Sequence, residues 1–316
     1  MANSAANRPR HPHRMPSARR QILRPSRDSA ARQAALAAMR GMLEKTGFDL
    51  PQFEEMRSRS RAELQTALER YRAEANERAP AMQKVVARSA EHWLRGHRVV
   101  SALAPADSFY SVGAADAITA TYGIDLTAQT IAPFANTAQI TVDEPSSVDA
   151  LDGFVDFLFS WQNPTEQDLM CTLTGVLGVT ATAIVTADGY WWPLTPKPSS
   201  EIDVYAELDV TLVDAFGAIT SPPYQSTQAQ QAAHLSVEGA FFEEGTIAGQ
   251  DIFRGYVLQY TELIVPAGAT LDLSLTCEIS WVGYNGGCQF IAAGNGRELS
   301  AFGVFINTEP APAAAV

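Results

Sequence analysis

Two stretches of this chain alternate apolar and polar residues without a break. Residues 201–214, EIDVYAELDVTLVD, set Ile202, Val204, Ala206, Leu208, Val210 and Leu212 against Asp203, Tyr205, Glu207, Asp209 and Thr211. Residues 271–281, LDLSLTCEISW, set Leu271, Leu273, Leu275, Cys277, Ile279 and Trp281 against Asp272, Ser274, Thr276, Glu278 and Ser280. A period of two sends successive side chains to opposite faces of a strand, so each stretch belongs to a sheet with one dry face and one wet face.

Further strand candidates are FVDFLFSW at residues 154–161, LMCTLTGVL around Cys171, VTATAIVTA around Val179, FRGYVLQYTELIV around Tyr256 and FGVFI at residues 302–306. Turn signals separate them at Asn163-Pro164, Asp188-Gly189, Pro266-Ala267-Gly268 and Asn285-Gly286-Gly287. The Gln/Ala/Ser-rich run from Ser221-Pro222-Pro223 to Ala233 reads as a long loop. Many strands without intervening helices predict a mainly β domain over residues 101–308, an antiparallel β-sandwich in jelly-roll or other Greek-key order, with a disordered tail at 309–316.

The front of the chain differs in texture. Residues 1–27 hold seven arginines, four prolines and no acid, too few apolar groups to offset the entropy of ordering, and read as a disordered arm. Residues 28–100 read as two or three helices. Asp28 or Ser29 caps a first segment with Leu36, Met39 and Leu43 on one face and Gly47 as its stop. Ser60-Arg61-Ala62-Glu63 has the form of a capping box before the stripe Leu64, Ala67, Leu68, Tyr71 and Ala75; Pro80 interrupts, and Val86, Ala90 and Trp93 mark a third segment. Such narrow stripes suit docking through one face, on one another, on the body or on a second copy. Glu55 with Arg59 and Glu74 with Arg78, four apart, match part of the basic charge internally.

The formal net charge of −12 conceals an asymmetry. Residues 1–100 carry 20 basic and 10 acidic side chains, leaving 3 basic (Lys197, Arg254, Arg297) against 25 acidic for the rest. Contact with a nucleic-acid backbone, which requires cationic groups to displace counterions, must therefore come from the front, with Arg8, Arg10, Arg14, Arg19, Arg20, Arg24 and Arg27 as the candidates. The same composition is shared by organelle transit segments. No apolar segment of signal-peptide or membrane-span character is present, so the expected address is cytoplasmic or particle-associated.

Catalytic motifs are missing: there is no HExxH, GxxxxGK[ST], CxxC or GxSxG, and the body holds one histidine, His234, which reads as a surface residue beside the Gln/Ala loop. No cofactor is expected. Paired carboxylates would serve glycoside hydrolysis, but Asp203, Glu207, Asp209, Asp272 and Glu278 fall on the polar side of alternating strands, where acids simply face water. Asp143, Glu144, Asp149 and Asp152 in DEPSSVDALDG offer oxygen ligands for calcium, in a spacing that equally suits a plain turn. Cys171, Cys277 and Cys288 read as free, buried thiols; with Asn285-Gly286 as a hairpin turn, Cys288 faces Gly283 and Cys277 faces Gly294, so these two do not pair across it.

The stretch DGYWWPL at 188–194 joins a turn signal to three large aromatics and a proline that cannot donate to a ladder. It reads as a segment leaving the sheet to fold over one end of the sandwich, and Tyr190, Trp191 and Trp192 form the candidate contact patch for a ligand or partner.

An arginine-rich arm, a helical connector and a β-sandwich together resemble, in architecture, the coat proteins of small icosahedral viruses. That resemblance implies an arm that neutralises packaged nucleic acid and a sandwich that tiles a shell. The residues themselves favour a non-enzymatic binding or self-assembly protein, a homo-oligomer with contacts through loops at one end and through the helical segment. The alternatives are the coat or nucleoprotein subunit just described and a carbohydrate-binding or carbohydrate-active sandwich.

Overall fold

The two alternating stretches lie side by side. In the structure, a computed structural model, strand β7 (Ser199–Val213) pairs antiparallel with β10 (Thr270–Tyr284) in a register that sets Leu208 opposite Leu275 and Ile202 opposite Trp281. Their apolar faces are thereby fused into one buried surface. The structure describes residues 41, 45, 50–103, 108–121, 123–144, 150–190, 197–219, 229–239 and 245–312. The chain divides into two compact units, Met1–Glu54 and Glu55–Val316. Within the first, the described residues are helical.

The second unit holds two antiparallel sheets. Sheet B runs β2 (Ala117–Ala120), β5 (Ala150–Gln162), β10, β7, β8 (Gln230–Glu238). In sheet A, β4 (Asn136–Glu144) lies beside β11 (Gly286–Ala292) and β12 (Glu298–Pro310), which lie beside β6 (Leu169–Ala187) and then β9 (Thr246–Val265). Short β1 (Phe109–Val112) flanks β12 and β3 (Asp125–Thr130) flanks β4. Strands β11 and β12 are two halves of one line: both pair with β4 and with β6, on either side of a turn whose Gly294, Asn295 and Gly296 take positive φ. Taking that line as one strand, the sheet orders are β4, β11/β12, β6, β9 and β5, β10, β7, β8. Chain-order neighbours mostly sit in opposite sheets, which is the jelly-roll arrangement.

This order corrects one expectation. Asn285, at φ 47°, does turn the chain, but it passes β10 of sheet B to β11 of sheet A, so no hairpin ladder forms there. The three thiols are free and buried. Burial pushes the Cys171 and Cys277 thiols up to about 12, and it raises Cys288 as well. Residues 169–187, which read as two strands around Cys171 and Val179, form the single strand β6. Part of the predicted Gln/Ala loop is β8, an edge strand whose polar composition follows from having a partner on one side only within its sheet. Strand β12 runs to Pro310, beyond the predicted start of the tail.

The connections at one end are tied by a buried asparagine. Asn163 Nδ2 lies within hydrogen-bond reach of the Gln167, Val265 and Pro266 carbonyls at 2.9, 3.1 and 3.1 Å. Its Oδ1 accepts from the Thr165 amide and hydroxyl. One side chain thus binds the β5–β6 turn to the β9–β10 turn.

A single helix, α1 (Leu50–Leu103), takes the place of the second and third expected segments. Ser60 lies inside it, so the capping-box pattern caps nothing, and the helix continues through Pro80. A proline costs the bond from its own nitrogen to the Asn76 carbonyl. Asn76 and Pro80 are exposed while Ala75 and Ala79 beside them are buried, so the lost bond lies toward water and the packed face is intact. The expected i,i+4 pairs form, Glu55 with Arg59 at 3.7 Å and Glu74 with Arg78 at 3.9 Å. Gly41, Lys45 and residues 50–103 apart, the predicted segments from Asp28 to Gly47 lie outside the described residues, and among the described residues no helix is long and apolar enough to cross a membrane.

Two consequences are measurable by chemical denaturation. Asn163→Ala strands buried carbonyls and is expected to lower stability by about 3 kcal/mol. Pro80→Ala restores a helix bond at an exposed position and is expected to raise it by about 1–2 kcal/mol after allowing for the freer unfolded chain.

Candidate functional site

The C-terminal ends of β4, β6, β8 and β10 lie at the end of the sandwich opposite Asn163. The Asp188 amide donates to the Asn285 carbonyl at 3.0 Å, and the Gly239 amide to the Pro198 carbonyl at 2.8 Å. Lys197 pairs with Glu238. Trp281 Nε1 donates to Ser200 Oγ at 2.7 Å, and that hydroxyl lies 3.0 Å from the Gly287 carbonyl. Tyr190 sits half-buried here, on the segment that leaves β6. Trp191 and Trp192 lie outside the described residues, as do Asp149 and the arm arginines Arg8, Arg10, Arg14, Arg19, Arg20, Arg24 and Arg27.

Beside this end, α1 and the outer face of sheet A enclose a cleft of about 320 Å³ lined by Leu68, Arg72, Asp143, Glu144, Asp188 and Gln289, among others. Arg72 Nε donates to Gln289 Oε1 at 2.8 Å, and Gln289 Nε2 donates to Asp143 Oδ1 at 2.9 Å. Arg72 Nη2 stands 3.9 Å from Asp143 Oδ2, which closes the triangle. The helix contributes the cation, β4 the anion, and β11 the amide between them. Burial, and then the neighbouring Asp143, hold the Glu144 carboxyl above its usual range.

Of the acids considered for calcium, Asp143 and Asp152 lie on different sheets. Asp143 points outward from sheet A into the Arg72–Gln289 triangle, whereas Asp152 points outward from β5 of sheet B, where it shares a row with Ser280 and Asp203. Strands β4 and β5 belong to opposite sheets, so alternation carries these side chains to opposite sides of the sandwich.

A second clasp fastens the middle of the helix. Arg78 Nε donates to Asp251 Oδ2 at 2.8 Å, and Thr182 Oγ1 donates to Asp251 Oδ1 at 2.9 Å. Arg297, 4% exposed, donates from Nη1 to Asn76 Oδ1 at 2.7 Å. Burial lowers the Arg297 pKa, and Asp251 opposes that shift. Tyr71 lies over Gly249, where a Cβ would meet its ring at 2.3 Å, and burial raises its phenol pKa.

The outer face of sheet B carries Asp203, Glu207, Asp209, Asp272 and Glu278, the side that alternation predicts, and Asp156 with them. Thr276 Oγ1 lies 2.7 Å from Asp156 Oδ1 and 3.2 Å from Asp209 Oδ2, while Ser274 Oγ lies 3.1 Å from Asp156 Oδ1. Glu207 is buried in this layer at 6% exposure, against the expectation of a fully wet face. At the edge of the same face, His234 Nδ1 lies 2.9 Å from Asp203 Oδ1. Sequence reasoning set Asp203 and His234 apart as a wet acid and a surface imidazole. Their meeting depends on the β7–β8 register, which places them directly opposite one another.

No family model matches this sequence, and no curated protein matches it. Among solved structures, TmCBM61 in complex with β-1,4-galactotriose is 8% identical, with 64% of this chain and 88% of that chain covered, at a TM-score of 0.19. The enzymatically active domain of tailspike protein 4 of Bacteriophage CBA120 is 13% identical over 64% of this chain and 19% of that chain, at 0.18. The CBM22-1 xylan-binding domain of Xyn10C from Paenibacillus barcinonensis is 16% identical over 56% and 94%, at 0.16. At such identities and scores these likenesses carry no argument about function.

The raised Glu144 pKa has a pH signature. The folded chain binds this proton more readily than the unfolded chain, so the stability withheld at neutral pH returns as pH falls through the folded value. Glu144→Gln is expected to raise the melting temperature at about pH 7.5 and to lose that advantage near pH 4, read by differential scanning fluorimetry.

Proposed function

We propose that this protein is a non-catalytic, self-assembling subunit of the shell-forming kind, with an arginine-rich front that binds a polyanion such as nucleic acid. The observation that carries the reading is the jelly-roll strand order directly behind a basic front of 20 cationic against 10 acidic residues. The double-sheet jelly roll is an architecture of viral capsid domains. Helix α1 supports the same reading, since it covers the outer face of sheet A and is held there by arginines of the basic front. An acidic body repels its own copies, so assembly on this reading requires neutralisation, which a polyanion-bound arm does not give the body itself but counterions and metal ions do.

Light scattering after size exclusion, with absorbance at 260 and 280 nm and at low and high salt, tests the reading on the full-length protein. Particles far larger than a small oligomer, carrying nucleic acid that high salt strips away, are the expected result. A nucleic-acid-free monomer or small oligomer indifferent to salt overturns it.

A further inference from the structure

The outer face of sheet B ends at β8, and there three side chains from two strands converge. Glu201 and Asp203 stand two apart on β7 and so share the outward face, and the register of β7 with β8 brings His234 directly opposite Asp203. Each offers one ligand atom, and the three atoms lie within 4.8 Å of one another. Metal–ligand bonds of about 2.0–2.4 Å allow one ion to span at most about 4.8 Å between opposite ligands. A single ion can therefore reach all three.

We propose that Glu201, Asp203 and His234 form a binding site for a divalent transition-metal ion, zinc or manganese in character. The 2.9 Å from His234 Nδ1 to Asp203 Oδ1 is close to the separation of about 3 Å between adjacent ligands of an octahedral ion with bonds of about 2.1 Å. Two carboxylates with one imidazole suit zinc and manganese; calcium and magnesium prefer an all-oxygen set. The local structure favours a fixed geometry. Asp203 is only 14% exposed in its side chain, and Gln231 Nε2 donates to its Oδ1 at 3.0 Å, so this carboxylate is held in place before any ion arrives. His234 is half exposed and sits on an edge strand, which leaves the outward side of the ion open to water or to a group from another molecule. The strongly acidic body concentrates cations around this face. The inference stands apart from the shell-subunit reading: the site is internal to one chain and binds whether or not copies assemble.

The test is isothermal titration of Zn²⁺ into full-length wild type, His234→Ala and Glu201→Gln, each checked for folding by circular dichroism. His11 and His13 give the basic front its own affinity for zinc, so the quantity to read is the difference between variants. Wild type is expected to bind one more zinc equivalent than His234→Ala, and Glu201→Gln to bind that equivalent at least about tenfold more weakly. Ca²⁺ is expected to show no difference between wild type and His234→Ala. Equal zinc stoichiometry and affinity in all three folded proteins overturns the proposal, as does a site that takes calcium as tightly as zinc.

Discussion

Strand β6 is buried on both faces, and much of this structure follows from that burial. Leu173, Leu177, Val179, Ala181, Ala183 and Val185 belong to the core between the sheets, while Val176, Gly178, Thr180, Thr182 and Ile184 alternate with them on the other side and are covered too. A strand at the centre of an open sandwich has one face to solvate; this one has none. A third layer is therefore required, and α1 supplies it. Small residues on both partners permit the close approach: Ala75 and Ala79 on the helix, and Gly178, against which Val86 packs, on the strand. Gly303, at φ 88°, permits a close approach of another kind, between β12 and β1, because a Cβ there would meet the Val112 carbonyl at 2.6 Å.

How much of this was legible depended on how many faces each element hides. Strands β7 and β10 have one wet side, so their alternation announced them, and their inward residues are the core residues observed. Strand β6 hides both sides, its sequence LMCTLTGVLGVTATAIVTA barely alternates, and it read as two shorter strands. The helix was misread for a related reason. Capping and breaker signals at Ser60 and Pro80 describe what an isolated helix prefers, whereas this one is set by its packed stripe and by Arg72, Asn76 and Arg78, whose partners lie more than 170 residues away in sequence. The Asn285-Gly286 turn was visible, but whether a turn folds a strand back into its own sheet or across to the other is decided by topology.

The candidate sites divide in the same way. Period two alone puts Glu201 and Asp203 on one face, and that much the sequence carries. The third member, His234, arrives through a cross-strand register with a shift between Val204 and Tyr205, which no local pattern encodes. The same holds for Asp143, whose neighbours in the chain suggested a calcium loop and whose neighbours in space are a helix arginine and a β11 glutamine. In a jelly-roll, chain neighbours at a turn are commonly sent to different sheets, so clustering in sequence is a poor guide to clustering in space.

The charge asymmetry takes on a structural sense once the helix is in place. Part of the basic front is spent on the body, since Arg72 faces Asp143 and Arg78 faces Asp251, and both cations lie over sheet A. On sheet B, Lys197 pairs with Glu238 of β8. Among the other outward acids of this sheet, Asp156 is met by the hydroxyls of Ser274 and Thr276, and Asp203, at the edge, by Gln231 and His234. A hydroxyl has one proton to give, so Thr276, placed between Asp156 and Asp209, serves one carboxylate at a time. Among the described residues the two faces of the sandwich are thus met differently: helix arginines reach acids of sheet A, while hydroxyls, Gln231, His234 and Lys197 reach acids of sheet B. The carboxylates on the outward side of sheet B repel an acidic partner, a second copy included, and an ion held at the proposed site on the β7–β8 edge lowers that repulsion locally.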